Sequence, residues 1–167
     1  RGEGLVCADA QTYMYRSTFR KLFRSSDMHS MPTVGADDLY QENIFSWSEG
    51  GEGELLEFGR KGISATYLRK DGHRIVRTVL FEDLELIITD FCSTAPSLKT
   101  NWILLKDLTR FNWKLLHQDG SRTDVVPTKF TTQYSSSYGV LDKESAMKIV
   151  ITASPGEVIE TRISLIP

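Results

Sequence analysis

The chain has 167 residues, of which 40% are hydrophobic and 25% charged, with a net charge of −2. This length suits one domain that buries a real core, and the balanced charge gives no general attraction to nucleic acid. No apolar run approaches the roughly 18 residues of a transmembrane helix. Cys7 and Cys92 have no metal-ligand spacing, which favours reduced thiols in a cytosolic setting.

The N-terminal segment predicts a basic amphipathic helix over Asp9–Arg24, because Tyr15, Phe19, Leu22 and Phe23 recur at helical spacing. Three interpretations stay open: packing on the chain's own sheet, insertion into an anionic membrane, or docking in a partner's groove. The candidate residues for membrane or partner contact are Arg16, Phe19, Arg20, Lys21, Phe23 and Arg24.

Three regions follow from the composition. Residues 1–30 carry the predicted helix, residues 31–52 read as an irregular acidic connector, and residues 53–167 read as an all-β domain. Between Met31 and Glu57 there are seven acids and no Lys or Arg. This asymmetry could steer an anionic partner to another face, or it could mark a solvated acidic loop.

The β domain is predicted from runs of strand-forming residues separated by turns. Two Asp-Gly pairs, Asp71-Gly72 and Asp119-Gly120, predict tight hairpin turns. Residues 154–157 predict a third turn that pairs the last two strands, and Thr128–Tyr138 fits an edge strand or a loop. The predicted strands are Glu54–Gly59, Ile63–Lys70, His73–Phe81, Leu84–Phe91, Asn101–Leu108, Phe111–His117, Thr123–Val126, Ala146–Ala153 and Val158–Ile166.

The order of these elements favours an antiparallel meander, because no helix separates consecutive strands. A sandwich, a closed barrel and a two-sheet roll all satisfy this pattern. A lipocalin-like barrel that holds an apolar ligand is one functional option for such a fold, in addition to membrane recruitment and protein interaction.

Signals for catalysis are absent from the sequence. None of the three histidines has metal-ligand spacing with another ligand, and there is no phosphate loop or nucleophile elbow. His73 and His117, each beside a predicted turn, read as solvated strand ends. We therefore expect a protein that is not an enzyme and that needs no cofactor.

The first predicted hairpin is rich in cations, with one acid, Asp71, among them. Such a surface suits an anionic partner, although exposed cations also discourage edge pairing between strands. Aromatic residues do not interleave with the cations, which favours a lipid headgroup or an acidic protein over nucleic acid. The candidate lipid-binding residues are Arg60, Lys61, Arg69, Lys70, Arg74 and Arg77.

Three stretches, Tyr67–Phe81, Leu84–Thr89 and Ile103–Phe111, resemble the first four strands of pleckstrin-homology-like domains, and Met147–Leu165 resembles their late hairpin. The likeness is to small apicomplexan members, the inner-membrane-complex sub-compartment proteins and an acylated pleckstrin-homology protein. The resemblance implies binding to phosphatidic acid. The short Asp71-Gly72 loop departs from the longer loop of phosphoinositide binders and favours a simpler phosphate.

Together these observations predict a mainly β protein, an antiparallel pleckstrin-homology-like roll or barrel with an N-terminal amphipathic helix. The predicted function is non-catalytic recruitment to an anionic membrane through phospholipid binding. The alternative is a protein-interaction or scaffold domain whose basic face binds an acidic partner. The predicted location is cytoplasmic, peripheral on the cytosolic face of a membrane.

Overall fold

The computed structural model describes residues 7–8, 25–35, 51–104, 110–132 and 146–164, and the following statements concern these residues. They form antiparallel β-sheets, and Ser26–Met28 forms a 3₁₀ turn. The predicted helix over Asp9–Arg24 lies outside the described residues. The strands are β1 (Cys7–Ala8), β2 (Pro32–Thr33), β3 (Gly51–Gly59), β4 (Gly62–Arg69), β5 (Arg74–Glu82), β6 (Glu85–Cys92), β7 (Leu98–Leu104), β8 (Phe111–Leu116), β9 (Arg122–Asp124), β10 (Thr128–Thr132), β11 (Ala146–Ala153) and β12 (Val158–Ser164).

The strands divide between two sheets. The larger sheet has seven strands in the order β3-β4-β5-β6-β12-β8-β9. The smaller sheet has five, in the order β1-β7-β11-β10, and β2 also pairs with β7. Each of the nine predicted strands overlaps a strand of the described residues, and Thr128–Thr132 forms the edge strand β10, so the prediction of an antiparallel β protein is confirmed. The predicted strand residues 105–108 and 165–166 lie outside the described residues.

The Asp71-Gly72 turn forms where the sequence predicts it, but its loop is longer than two residues. The amide of Arg69 donates to the carbonyl of His73 at 2.9 Å, and the amide of Gly72 donates to the carbonyl of Arg69 at 3.0 Å. Gly72 has a φ of 85°, in the left-handed region. A β-turn that ends in one left-handed residue is typical of three-residue hairpin loops. The second Asp-Gly turn repeats this arrangement, with Gly120 at φ 82°.

The predicted pairing of the last two strands is wrong. The turn at residues 154–157 forms, with Gly156 at φ 80° and a bond of 3.1 Å from the amide of Glu157 to the carbonyl of Ser154. However, β11 pairs with β7 and β10, whereas β12 pairs with β6 and β8. A turn sequence predicts that the chain reverses; it does not predict that the flanking strands share a sheet. Here the chain crosses from one sheet to the other.

The closed roll or barrel is also not formed, since the described strands make two open sheets with separate edges. The core lies between these sheets. Trp102 of β7 meets Phe111 of β8 edge-on at 5.9 Å between ring centroids, and Phe111 stacks on Trp113 at 5.6 Å. Packing of buried apolar side chains from both sheets therefore holds the two sheets face to face, and each large aliphatic or aromatic side chain contributes about 1.5–3 kcal/mol. The buried core residues are Val34, Ile75, Ile88, Cys92, Ala95, Leu98, Trp102, Leu104, Phe111, Trp113, Ile149, Ile151, Ala153, Ile159 and Ile163.

Candidate functional site

The structure does not bring the six predicted lipid-binding cations together. Arg60 and Lys61 form the turn between β3 and β4, at one end of the larger sheet, and both are exposed. Lys70 and Arg74 flank the turn between β4 and β5 at the opposite end and are also exposed. At about 3.3 Å per residue, β4 separates the two turns by roughly 23 Å. The exposed cations are therefore two separate pairs.

Arg77 lies between the two sheets. Its guanidinium donates to the carboxylate of Asp90 from Nε at 2.7 Å and from Nη2 at 2.9 Å, and Nη1 donates to the carbonyl of Ser30 at 2.8 Å. Asp90 is fully buried and also accepts a bond of 2.7 Å from the hydroxyl of Thr100. The Arg77 guanidinium also lies 5.4 Å from the ring centroid of Trp102. These contacts join β5, β6, β7 and the segment before β2.

Arg69 folds back onto its own turn. Its Nη2 donates to Oδ2 of Asp71 at 2.6 Å, and Nη1 donates to the carbonyl of Val34 at 2.7 Å. The hydrogen bonds from the Arg69 side chain lower the pKa of Asp71 to about 2. Arg69 thus connects the β4–β5 turn to the residue that follows β2.

The N-terminal candidates Arg16, Phe19, Arg20, Lys21, Phe23 and Arg24 lie outside the described residues. The proposed roles of this segment in membrane or partner binding therefore stay predictions.

A histidine cluster that sequence reasoning missed connects two turns at one end of the larger sheet. Nδ1 of His117 lies 2.8 Å from Oε1 of Glu157, and Nε2 lies 2.8 Å from the hydroxyl oxygen of Thr123. The other Glu157 oxygen accepts a bond of 2.8 Å from the amide of Ser154. Chiefly this amide bond, helped by His117, holds the pKa of Glu157 below its ordinary value, against the opposing effect of desolvation.

The cluster has the order hydroxyl, imidazole, carboxylate, which orients an imidazole for proton transfer. In this structure it connects the β8–β9 turn to the β11–β12 turn. His117 is therefore not simply a solvated strand end. No local signal in the sequence could have identified its partner, because Glu157 is 40 residues away.

Large apolar side chains are exposed around the turns at the Arg60 end of the larger sheet. Phe58 is 77% exposed, Phe81 48% and Leu84 51%. Leu84 also has a φ of 71°, a left-handed conformation that is unfavourable for a residue with a branched side chain. This end therefore combines apolar surface with the cations Arg60 and Lys61.

The described residues contain neither a metal-binding cluster nor a membrane-spanning helix. Within them, no group of three or more His, Cys, Asp or Glu residues could hold a metal ion. None of the helical residues there forms a helix long and apolar enough to cross a membrane.

The sequence matches no protein-family model and no curated protein. The fold, in contrast, is similar to parts of several solved structures. The heparan sulfate lyase HepC from Pedobacter heparinus aligns with a TM-score of 0.65 and 16% identity over 95% of this chain. A heparinase III gene product aligns with a TM-score of 0.65 and 13% identity, and another heparinase III with 0.58 and 12%. This chain spans 28% of the length of each of these proteins.

These likenesses correct two predictions. The resemblance to pleckstrin-homology-like domains is wrong, because the folds that match belong to heparan sulfate lyase and heparinase III chains. Alternating burial and Asp-Gly turns occur in antiparallel sheets of many folds, so they could not distinguish among these folds. The prediction that the protein is not an enzyme is also contradicted, because the chains with a similar fold are a heparan sulfate lyase and a heparinase III gene product, which are enzymes.

Proposed function

We propose that this chain is a β-sheet part of a polysaccharide lyase and that it binds an anionic polysaccharide such as heparan sulfate. The observation that carries the proposal is the fold likeness to the heparan sulfate lyase HepC over 95% of this chain. Because the chain spans 28% of that protein, the proposal concerns substrate binding and assigns no catalytic residue.

The exposed cations support this proposal. Lys70 and Arg74 project from the β4–β5 turn, and Arg60 and Lys61 from the β3–β4 turn. A linear polyanion can contact both pairs, although they are roughly 23 Å apart at the strand rise given above. Arginine in particular forms paired hydrogen bonds with oxyanions, in addition to the charge attraction.

The test is isothermal titration calorimetry with heparan sulfate at two salt concentrations. We expect Lys70→Glu with Arg74→Glu to weaken binding at least tenfold, and added salt to weaken the wild type as the Debye length contracts. Lys129→Glu, an exposed cation on the smaller sheet, is the matched control and should change binding less than twofold. Absence of binding by the wild type, or equal affinity for uncharged dextran, would overturn the proposal.

Recruitment to an anionic membrane is the second candidate. It is favoured by the exposed side chains of Phe58 and Leu84 beside Arg60 and Lys61, since interfacial segments combine apolar and cationic groups. Sedimentation with phosphatidic-acid vesicles tests it. Loss of sedimentation in Phe58→Ser and in Arg60→Glu would support it, and absence of wild-type sedimentation would exclude it. The acidic-protein alternative stays a prediction.

A further inference from the structure

The strand β3 is an edge of the larger sheet with unusual exposure. Among the described residues it pairs with β4 alone, and all nine of its residues, Gly51–Gly59, are exposed. An edge strand presents a row of unpaired amide and carbonyl groups that another extended chain can bond. Within the described residues, no second strand pairs with the backbone of β3.

One face of β3 is apolar and continues the core face of the sheet. Phe58 is directly opposite Ile63, which is opposite Val79, which in turn is opposite the core residue Ile88. Residues directly opposite one another share a face of the sheet. On this face Phe58 is 77% exposed and Leu55 is 58% exposed, so the core face remains uncovered at β3.

The other face of β3 is acidic. Three glutamates lie on this face, because their partners in β4 alternate with the partners of Leu55 and Phe58. The pairs are Glu52 with Leu68, Glu54 with Thr66, and Glu57 with Ser64. Glu54 forms an ion pair with Arg74, with 3.8 Å between Oε2 of Glu54 and Nη1 of Arg74. No ion pair with a described residue is formed by Glu52 or Glu57. The strand itself contains no cation.

These charges determine which partner fits. Antiparallel pairing of β3 with a second copy would bring six carboxylates together on one face, and like charges on paired strands are destabilising. A strand with Lys or Arg on that face would instead form cross-strand ion pairs. Its alternate residues would cover Leu55 and Phe58, so they should be apolar.

We propose that β3 is a docking edge for an extended polypeptide segment in which Lys or Arg alternates with apolar residues. The segment adds to β3 as an eighth strand of the larger sheet, the recognition mode known as β-augmentation. Main-chain hydrogen bonds supply affinity, and the two faces of β3 select the alternation. This site does not depend on polysaccharide binding.

The test uses a fluorescein-labelled octapeptide of alternating Lys and Val, with fluorescence anisotropy as the readout. We expect saturable binding that weakens at least tenfold in the double variant Glu52→Lys with Glu57→Lys. Asp124→Lys reverses an exposed acid on β9, the opposite edge of the same sheet, and should change the affinity less than twofold. Leu55→Ser should weaken binding without reversing any charge.

Two comparisons make the test decisive. An octapeptide with four Lys followed by four Val should bind at least tenfold more weakly, and so should an alternating Glu and Val peptide. Hydrogen exchange of the wild type with the Lys and Val peptide should show new protection within Gly51–Gly59. Equal binding of the block peptide, absence of binding, or protection outside β3 would each overturn the proposal.

Discussion

The guanidinium of Arg77 donates two hydrogen bonds, of 2.7 and 2.9 Å, to the carboxylate of Asp90, which is fully buried between the sheets. A residue predicted to bind an anionic ligand thus has an anion of the protein itself as its partner. Because a buried charge is costly without its counterion, the fold depends on Arg77 to neutralise the carboxylate of Asp90.

Replacing Arg77 should therefore destabilise the protein. We expect Arg77→Leu to lower the free energy of unfolding by about 3–5 kcal/mol, because Asp90 loses its buried partner. Urea denaturation measures this change. Arg74 is an exposed residue of the same strand. Arg74→Leu should change the free energy of unfolding by about 0.5 kcal/mol or less. A loss under about 1 kcal/mol in Arg77→Leu would mean that the pair behaves like a surface ion pair.

The carboxyl of Asp71 should titrate well below an ordinary aspartate. NMR of the side-chain carboxyl carbon should give a pKa of about 2, against an ordinary value of 3.8, because Arg69 donates to the ionised form. Arg69→Met should raise this pKa toward 3.8. Since the folded-state pKa is lowered, the contribution of Asp71 to stability is present at higher pH and is lost as the pH falls toward about 2. An unchanged pKa in the variant would assign the effect to another group.

The ionisation of Glu157 should make the free energy of unfolding depend on pH, because its carboxylate bonds to His117 and to the amide of Ser154. Its pKa is lowered from 4.5, so its contribution is complete above that value and is lost as the pH falls through the lower folded-state pKa. We expect Glu157→Gln to be less stable than the wild type at neutral pH, with the difference shrinking below pH 4.5. Thermal melting across this range measures it.

Ser154→Ala is the control for Glu157, because it keeps the main-chain amide that donates to the carboxylate at 2.8 Å. This variant should retain most of the pH dependence. A difference between wild type and Glu157→Gln that stays constant from neutral pH down to pH 3 would contradict the assignment.

The turn between β5 and β6 should be more stable with glycine. Asp83 and Leu84, with φ values of 42° and 71°, form a two-residue hairpin loop in which both positions favour Asn or Gly. We expect Leu84→Gly to raise the free energy of unfolding by roughly 0.5–1 kcal/mol by relieving the left-handed conformation. Val126→Gly, at an exposed position without a positive φ, should not stabilise the protein. Equal effects of both changes would count against backbone strain.

The hairpin from β4 to β5 illustrates how far the sequence reaches. Ile75, Arg77 and Val79 occupy alternate positions of β5 and therefore share a face. In the structure Ile75 belongs to the core and Val79 packs against it. The sequence could not place Asp90 opposite Arg77, because that contact depends on the register of β6. Alternation puts Arg74 on the opposite face from Arg77, but it does not show that Arg77 has a buried carboxylate as its partner.

The connector before β3 shows the same limit. Its composition suggested an irregular acidic loop over residues 31–52, yet Pro32–Thr33 forms β2, in which Pro32 pairs with Thr100 of β7. The two-residue strand has no detectable alternation of its own. It becomes a strand because the edge of β7 offers hydrogen-bonding groups, a condition set only in the folded chain.

The sequence alone predicted the longer strands and the tight turns, because period-2 alternation and the positive φ of glycine are local properties of the chain. Tertiary structure decided which sheet each strand joins, which arginines are exposed and which are paired, and where His117 finds Glu157. The physical reason is that strand pairing and ion pairing depend on contacts between distant residues. A strand has the same local pattern whether its neighbour in sequence lies beside it or, as for β11 and β12, in the opposite sheet.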